Sequence, residues 1–271
     1  MSLHIKSPGA APGFFPLVER GGALKHLSFA VLQLNERVPA HTLESGAEEL
    51  AIGSYAGAVR LEAEGAFGRW SADIPSRTGY RDPHPVVYLP AGASVRISAL
   101  SGPARLSIAG AEGKPDGRPV VTLPHLTDAV GRDNWARTVY THIGENVDAA
   151  HLLVGETVAQ PGGWTSCPPH KHDRATATEI PMEEVYHFHL DPPQGFAMIR
   201  VYTDPDDPEA FDEPCVVQDG DTVLIPRGYH PVTVCPGYTL HYAWILAGEG
   251  RRYGAWTDDP RHSWIKAQKE G

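Results

Sequence analysis

"GDTVLIPRGYHPVTV", residues 220–234, decides the fold: four strand-forming residues run into a Pro-x-Gly turn and leave along a second strand. Proline presets the backbone entering the turn, and glycine suits the tight reversal inside it. His230 stands at the head of the outgoing strand. Residues 86–97, "VVYLPAGASVRI", have the same grammar, with Pro90 and Gly92 in the places of Pro226 and Gly228. A β-domain written twice accounts for both. The copies differ at one informative position, where the second carries His230 and the first carries Ser94.

Further strands lie outward from these turns in both directions. "HLSFAVLQL" (26–34) and "ELAIGSYAGAVRLEA" (49–63) belong to the first half. "AHLLVGETVAQ" (150–160), "EEVYHFHLDP" (183–192), "FAMIRVYTD" (196–204) and "YTLHYAWILAG" (238–248) belong to the second. The 28 glycines and 25 prolines break the chain into short segments and leave little room for helix. Only "DNWARTVYTHIG" (133–144) begins like a helical turn. With 41% hydrophobic and 21% charged residues, the chain can fill a core and is not of disordered composition. The expectation is an all-β protein of two tandem β-barrel or jelly-roll domains, residues 1–115 and 116–271. The Gly-, Pro- and charge-rich "AEGKPDGRPVVTLP" (111–124) reads as the linker.

A formal charge of −10 repels phosphate backbones, and no basic stripe with interleaved aromatics is present, so nucleic acid is excluded as a partner. Three cysteines, Cys167, Cys215 and Cys235, make an odd set with no C-x-x-C pair. That count argues for free thiols in a reducing compartment. No apolar run is long enough for a signal peptide or a membrane span, so the expected location is the cytoplasm.

The chemistry-bearing residues gather in the second half. "SCPPHKHD" (166–173) holds His170 and His172, which on a strand project to the same side. "MEEVYHFHL" (182–190) opens with Glu183 and Glu184, and His230 follows the second turn. Imidazoles with one carboxylate suit a divalent transition metal, leaving positions for water or substrate. Glu183 and Glu184 cannot face the same side of one strand. If Glu184 points inward, so do Tyr186 and Phe188, while His187 and His189 point away. The opposite phase groups Glu183 with the "HFH" histidines. Neither a dinucleotide fingerprint nor a P-loop occurs.

The order H-x-H, Glu, then G-x5-P-x-G and His resembles the cupin signature. "LLVGETVAQPGGWTSCPPHKHD", "EEVYHFHLDPPQGFAMIRVYTD" and "GDTVLIPRGYHPVTVCPGY" together resemble the 5-deoxy-glucuronate isomerases, bicupin enzymes of bacterial myo-inositol catabolism related to the uronate isomerases of pectin breakdown. The resemblance is dense in the C-terminal half and looser in the N-terminal half. It implies a bicupin fold and one divalent ion, zinc or manganese, on His170, His172, Glu184 and His230. The E-x-Y pattern of the uronate isomerases favours Glu184 over Glu183. The N-terminal half, without a matching ligand set, becomes a degenerate copy that packs on the catalytic one or helps it dimerise.

The implied reaction is aldose–ketose isomerisation of a sugar acid, 5-deoxy-D-glucuronate to 5-dehydro-2-deoxy-D-gluconate, with no redox cofactor. Arg200 and Lys171 are the candidate partners of the substrate carboxylate, arginine being the better fork for it. Tyr186, Tyr229 and Tyr242 are candidates for binding hydroxyls or relaying protons. The general base stays open between a metal-bound hydroxide and Glu184. His187 and His189 read as surface or interface residues, and His41, His84, His142, His151 and His241 as ordinary β-protein histidines. A homo-oligomer is the expected assembly. The rival readings are a cupin dioxygenase or other metal-dependent cupin enzyme using the same ligands, and a non-enzymatic sugar-binding cupin.

Overall fold

The computed structural model describes residues 2–267, and nearly all regular structure in it is strand. In the N-terminal half, strands Gly13–Val18, Leu27–Leu34, Ser94–Glu112, Glu48–Gly65, Val86–Leu89 and Val120–Thr122 lie side by side in that order. Two of them are very long and pair with each other through register shifts at Ser54/Ala56, Ala56/Ala58 and Ala58/Val59. Bulges of this kind bend a strand and strengthen its twist. Gly57 sits at the bend with φ +75°, where a Cβ would strike the backbone of Pro103 and Ala104. The bent sheet closes over Leu32, Ile52, Leu61, Leu89, Ile97 and Leu106, all buried.

The C-terminal half is a sandwich. Its larger sheet has seven antiparallel strands in the order His4–Ile5, Thr222–Ile225, Met182–Asp191, Thr239–Gly248, Leu153–Ala159, Arg137–Ile143 and Leu126–Val130. A four-stranded sheet, Trp164–Thr165, Val232–Val234, Ala197–Tyr202 and Asp212–Val217, covers one face of it. Phe188, Leu190, Ile199, Val201, Val232 and Leu240 pack between the two layers. Both Pro-x-Gly turns form as the sequence requires, with Gly92 at φ +76° and Gly228 at φ +94°. At Gly228 a Cβ would meet the Tyr202 backbone, to which Tyr229 bridges.

The halves interlock beyond the boundary expected near residue 115. The long strand runs to Glu112, and Val120–Thr122, inside the expected linker, pairs with Val86–Tyr88 of the first sheet. His4–Ile5, from the opposite end of the chain, forms an edge of the second sheet. The expected helical turn is a single 3₁₀ turn at Asp133–Trp135 leading into strand Arg137–Ile143.

The uncovered face of the seven-stranded sheet packs on the N-terminal half, and there the polar contacts run in both directions. Glu183 accepts hydrogen bonds from the Lys25 and His26 amides, each at 2.8 Å. Glu49, fully buried in the first half, accepts from the amides of Ala150, His151 and Leu152. Arg77 holds Glu156 in a two-pronged ion pair at 2.8 and 2.7 Å, both side chains buried. Arg105 reaches Asp219 at 2.7 Å.

His187 and His189 lie in this seam, both wholly buried rather than on a solvent surface. Phe29 and Tyr55 flank His187, and Tyr55 and Tyr80 flank His189. His241 and His142 join them, each within 3.5 Å of a Glu156 oxygen. Strand phase sends them there, because residues 187, 189 and 241 sit on the face opposite the C-terminal core.

Replacing Glu156 by Gln strands the Arg77 charge in the seam and is expected to cost about 3–5 kcal/mol, read by chemical denaturation. The Arg77→Met, Glu156→Gln double variant should recover most of it. Burial, aided by the neighbouring arginines, depresses the histidines: His84 to about 4, His189 to about 3, and His187 well below its usual 6.5. Between those values and 6.5 the unfolded chain binds protons that the folded chain refuses, so stability falls as pH drops below 6.5. Fully buried His189 removes about 1 kcal/mol by pH 5.5, and His84 and His187 act in the same direction. A melting temperature that does not decrease between pH 7.5 and 5.5 contradicts this.

Candidate metal centre

The covered face of the same sheet carries the candidate site. Met182, Glu184 and Tyr186 from one strand point to the same side as Tyr242, Trp244 and Leu246 from its neighbour, Thr157 from the next and Val139 from the one beyond. They line a cavity of about 300 Å³, together with Ser166, His170 and His172 from the loop that carries H-x-H. Glu184 therefore takes the inward phase, and Glu183 is the clamp to the other half.

Three side chains converge at the cavity wall. One ligand atom each from His172, Glu184 and His230 can be drawn within 4.8 Å of one another, and all three residues are buried. Glu184 Oε2 lies 3.1 Å from His172 Nε2 and 3.3 Å from His230 Nε2. His170 borders the group and is less buried, its ring centroid 4.8 Å from that of His230 and 6.5 Å from that of His172.

Hydrogen bonding on the far side of each ring decides what the cluster can hold. His230 Nδ1 lies 2.9 Å from the Gly228 carbonyl, and His172 Nδ1 lies 2.8 Å from the Met182 carbonyl. A carbonyl only accepts, so each Nδ1 carries a proton and each ring turns its Nε2 toward Glu184. His230 Nε2 is buried without a hydrogen-bond partner. Burial lowers His230 to about 4, outweighing the pull of Glu184, so it stays neutral at pH 7. The side-chain bond to Glu184 raises His172 despite burial, but one proton on that ring leaves His230 unserved. Two imidazole Nε2 atoms facing one carboxylate form a donor set that fits a divalent cation, which would displace any proton held between them. His170, pressed by burial well below its usual value, also presents a neutral ring.

The remaining sequence candidates divide by placement. Tyr186 and Tyr242 reach the cavity, joined by Ser166: its Oγ lies 2.9 Å from the Tyr186 hydroxyl and 3.5 Å from that of Tyr242. Tyr242 also donates to Thr165 at 2.9 Å. Lys171 alternates with its histidine neighbours and turns the other way, into Asp173 at 2.6 Å and Asp204 at 3.7 Å. Tyr229 donates to Asp204 at 2.9 Å, in the same network. Arg200 is turned outward between the core residues Ile199 and Val201, half-exposed and paired with Asp212 at 2.6 Å. Neither Arg200 nor Lys171 offers a charge to the cavity, since carboxylates already neutralise both.

Sequence reasoning missed Ser166 and the cations at the cavity wall, Arg137, Arg252 and Lys266. Ser166 holds φ +48°, uncommon for a residue with a Cβ, and that conformation is invisible in the letters. In the first half, Ser94, the counterpart of His230, donates to Glu44 at the surface.

Two β-domains, a bent sheet and a sandwich, with buried imidazoles and a carboxylate on one inner wall of the second define a protein of the cupin class. The chain belongs to the KduI/IolB family, whose model matches residues 17–265. It is 36% identical to a 5-deoxy-glucuronate isomerase of Geobacillus thermodenitrificans over 187 residues, 68% of this chain and 66% of that protein. It is 32% identical to that of Bacillus velezensis over 248 residues, 89% of this chain and 88% of the relative. An IolB-like protein of Salmonella typhimurium superposes with TM-score 0.85 at 26% identity, covering 98% of this chain and all of that one. An oxalate decarboxylase of Lactobacillus farciminis, TM-score 0.65 at 15% identity over 99% of this chain and 91% of its own, shares the fold.

His230→Ala is expected to weaken metal binding by at least about 100-fold, measured by elemental analysis after dialysis against a weak chelator. Arg200→Ala should leave both metal content and activity within experimental error of wild type.

Proposed function

We propose that this protein is a metal-dependent aldose–ketose isomerase converting 5-deoxy-D-glucuronate to 5-dehydro-2-deoxy-D-gluconate in myo-inositol catabolism. Family membership and the names of the Geobacillus and Bacillus relatives support the reaction class. The observation that carries the reading is the meeting of two imidazole Nε2 atoms with Glu184 at a buried cavity, His230 Nε2 having no hydrogen-bond partner. His170, His172, Glu184 and His230 are the residues we assign to hold the ion. A divalent ion there supplies Lewis acidity, polarising the substrate aldehyde and acidifying the hydroxyl beside it.

The reaction moves a hydrogen from C2 to C1 and a proton from the C2 oxygen to the C1 oxygen, with no net oxidation. The chain's own groups supply donors and dryness. Burial, with the Glu184 charge beside it, pushes the Tyr186 hydroxyl well above the usual tyrosine range. It therefore stays protonated and donates to a substrate oxygen rather than acting as a base. Ser166 joins Tyr186 to Tyr242 and so to Thr165, a hydroxyl chain along which a proton can pass between neighbouring oxygens. Trp244, Leu246, Val139 and Met182 form the apolar wall that excludes water while negative charge sits on the two oxygens.

The three free cysteines support a reducing compartment such as the cytoplasm, and no helix among the described residues is long and apolar enough to cross a membrane. A homo-oligomer is supported by the exposed apolar face of the four-stranded sheet, where Trp164, Met198 and Val216 meet solvent.

Purified enzyme should interconvert the two sugar acids fully under anaerobic conditions, lose activity to a strong chelator, and regain it with zinc or manganese. Dependence on oxygen would indicate the dioxygenase instead. Tyr186→Phe should lower kcat by roughly 100-fold while metal content holds.

A further inference from the structure

An acid substrate needs a cation to receive its carboxylate, and Lys171 and Arg200 are already spent on aspartates. Three other cations line the cavity: Arg137, Arg252 and Lys266. Lys266 is exposed and donates to Asp258, and Arg252 is exposed. Arg137 differs from both. It sits at the start of its strand, in phase with the cavity residue Val139, and is partly buried.

Arg137 also differs from other partly buried arginines, including Arg251, whose guanidinium is filled by the Gly144, Leu152 and Val147 carbonyls. Arg77, Arg105 and Arg227 each meet a carboxylate at 2.7 Å. Among the described residues Arg137 has no carboxylate within ion-pair distance. Its guanidinium donates once, to the Trp135 carbonyl at 3.2 Å, and lies over the Trp135 ring at 5.9 Å. The rest of its donor fork is unused. It lines the same cavity as His170 and Cys167, on the histidine side of the site. Asp128 and Asp258 also line the cavity, and Asp258 is occupied by Lys266.

We infer that Arg137 anchors the carboxylate of the sugar acid and thereby sets preference for a uronate over a neutral aldose. The inference takes the substrate class from the isomerase reading above; the unpaired guanidinium in the cavity stands without it. In a six-carbon uronate the reacting carbons are C1 and C2 and the carboxylate is C6, so its anchor must lie outside the imidazole–Glu184 cluster. A planar fork receives a carboxylate through two parallel hydrogen bonds, and the backing Trp135 ring holds the plane in place. Arg137 is on this account a specificity residue that touches substrate away from the reacting atoms.

The test measures binding of D-glucuronate and of D-glucose to metal-loaded wild type and to Arg137→Met, by titration calorimetry or ligand NMR. Wild type should prefer glucuronate, and the variant should weaken glucuronate by about 10- to 100-fold, leave glucose unchanged and keep its metal content. In turnover the loss should appear mainly in KM. Should Arg137→Met not fold, Arg137→Gln is read the same way. A wild type without preference for glucuronate, or a preference surviving either variant, overturns the anchor. A wild type that prefers glucuronate through Arg137 yet interconverts no aldose and ketose ends the isomerase reading and leaves the anchor standing. A competent isomerase whose preference survives Arg137→Met ends the anchor alone.

Discussion

Side chains on a pleated strand alternate between its two faces, and in the seven-stranded sheet this alternation divides the charged and aromatic residues of the central strands between two tasks. Along Met182–Asp191, Glu184 and Tyr186 enter the cavity while Glu183, His187 and His189 enter the seam with the N-terminal half. Along Thr239–Gly248, Tyr242 and Trp244 go one way and His241 the other. A slip of one residue in either strand would exchange the two sets at once. Site and seam are thus two sides of one register, and whatever fixes the seam also fixes the site.

The seam does that fixing with polar groups placed at defined backbone positions. Glu49 gathers three amides of the 150–152 loop and Glu183 gathers two of the 25–26 loop, so each half ties down a loop of the other. The N-terminal half has lost the histidine of its Pro-x-Gly turn, and Ser94 there serves only a surface contact. Its contribution to the cavity is indirect: it covers the rear of the sheet and holds strand register against the inward-facing Glu184.

Legibility in the sequence followed the same alternation. The strands and the duplicated turn could be read because period-two patterning and Pro-x-Gly chemistry are local, whereas the choice of Glu184 over Glu183 needed the E-x-Y resemblance. The burial of His187 and His189 could not, since it depends on Phe29, Tyr55 and Tyr80 from the other half arriving behind the strand. Arg200 and Lys171 were plausible as cations, but only tertiary pairing reveals that Asp212, Asp173 and Asp204 had claimed them. Arg137 was hidden for the converse reason. Nothing in "DNWARTVYTHIG" signals a guanidinium left unpaired, because that is a property of its surroundings. Strand pairing at 120–122 and at 4–5 crosses between the regions that composition divides near residue 115, and composition carries no signal of such pairing.

Two buried glutamates on this sheet show why one face is fit to hold a cation and the other is not. Glu156, facing the seam, has a permanent counter-ion in Arg77, and the histidines beside it add to a charge already balanced. Glu184, facing the cavity, meets no lysine or arginine among the described residues; its neighbours are two imidazole Nε2 atoms, of which that of His230 has no hydrogen-bond partner. A buried carboxylate without a cation is expensive, and so are buried lone pairs without a donor. An ion arriving between them removes both penalties together. The residues around Glu184 hold their places through the sandwich rather than through the ion, since Tyr186, Phe188 and Ile225 are packed in its core. The affinity of the site for its metal is on this reasoning stored in the folded chain, as a carboxylate and imidazoles without a permanent cation, kept dry by well-packed walls.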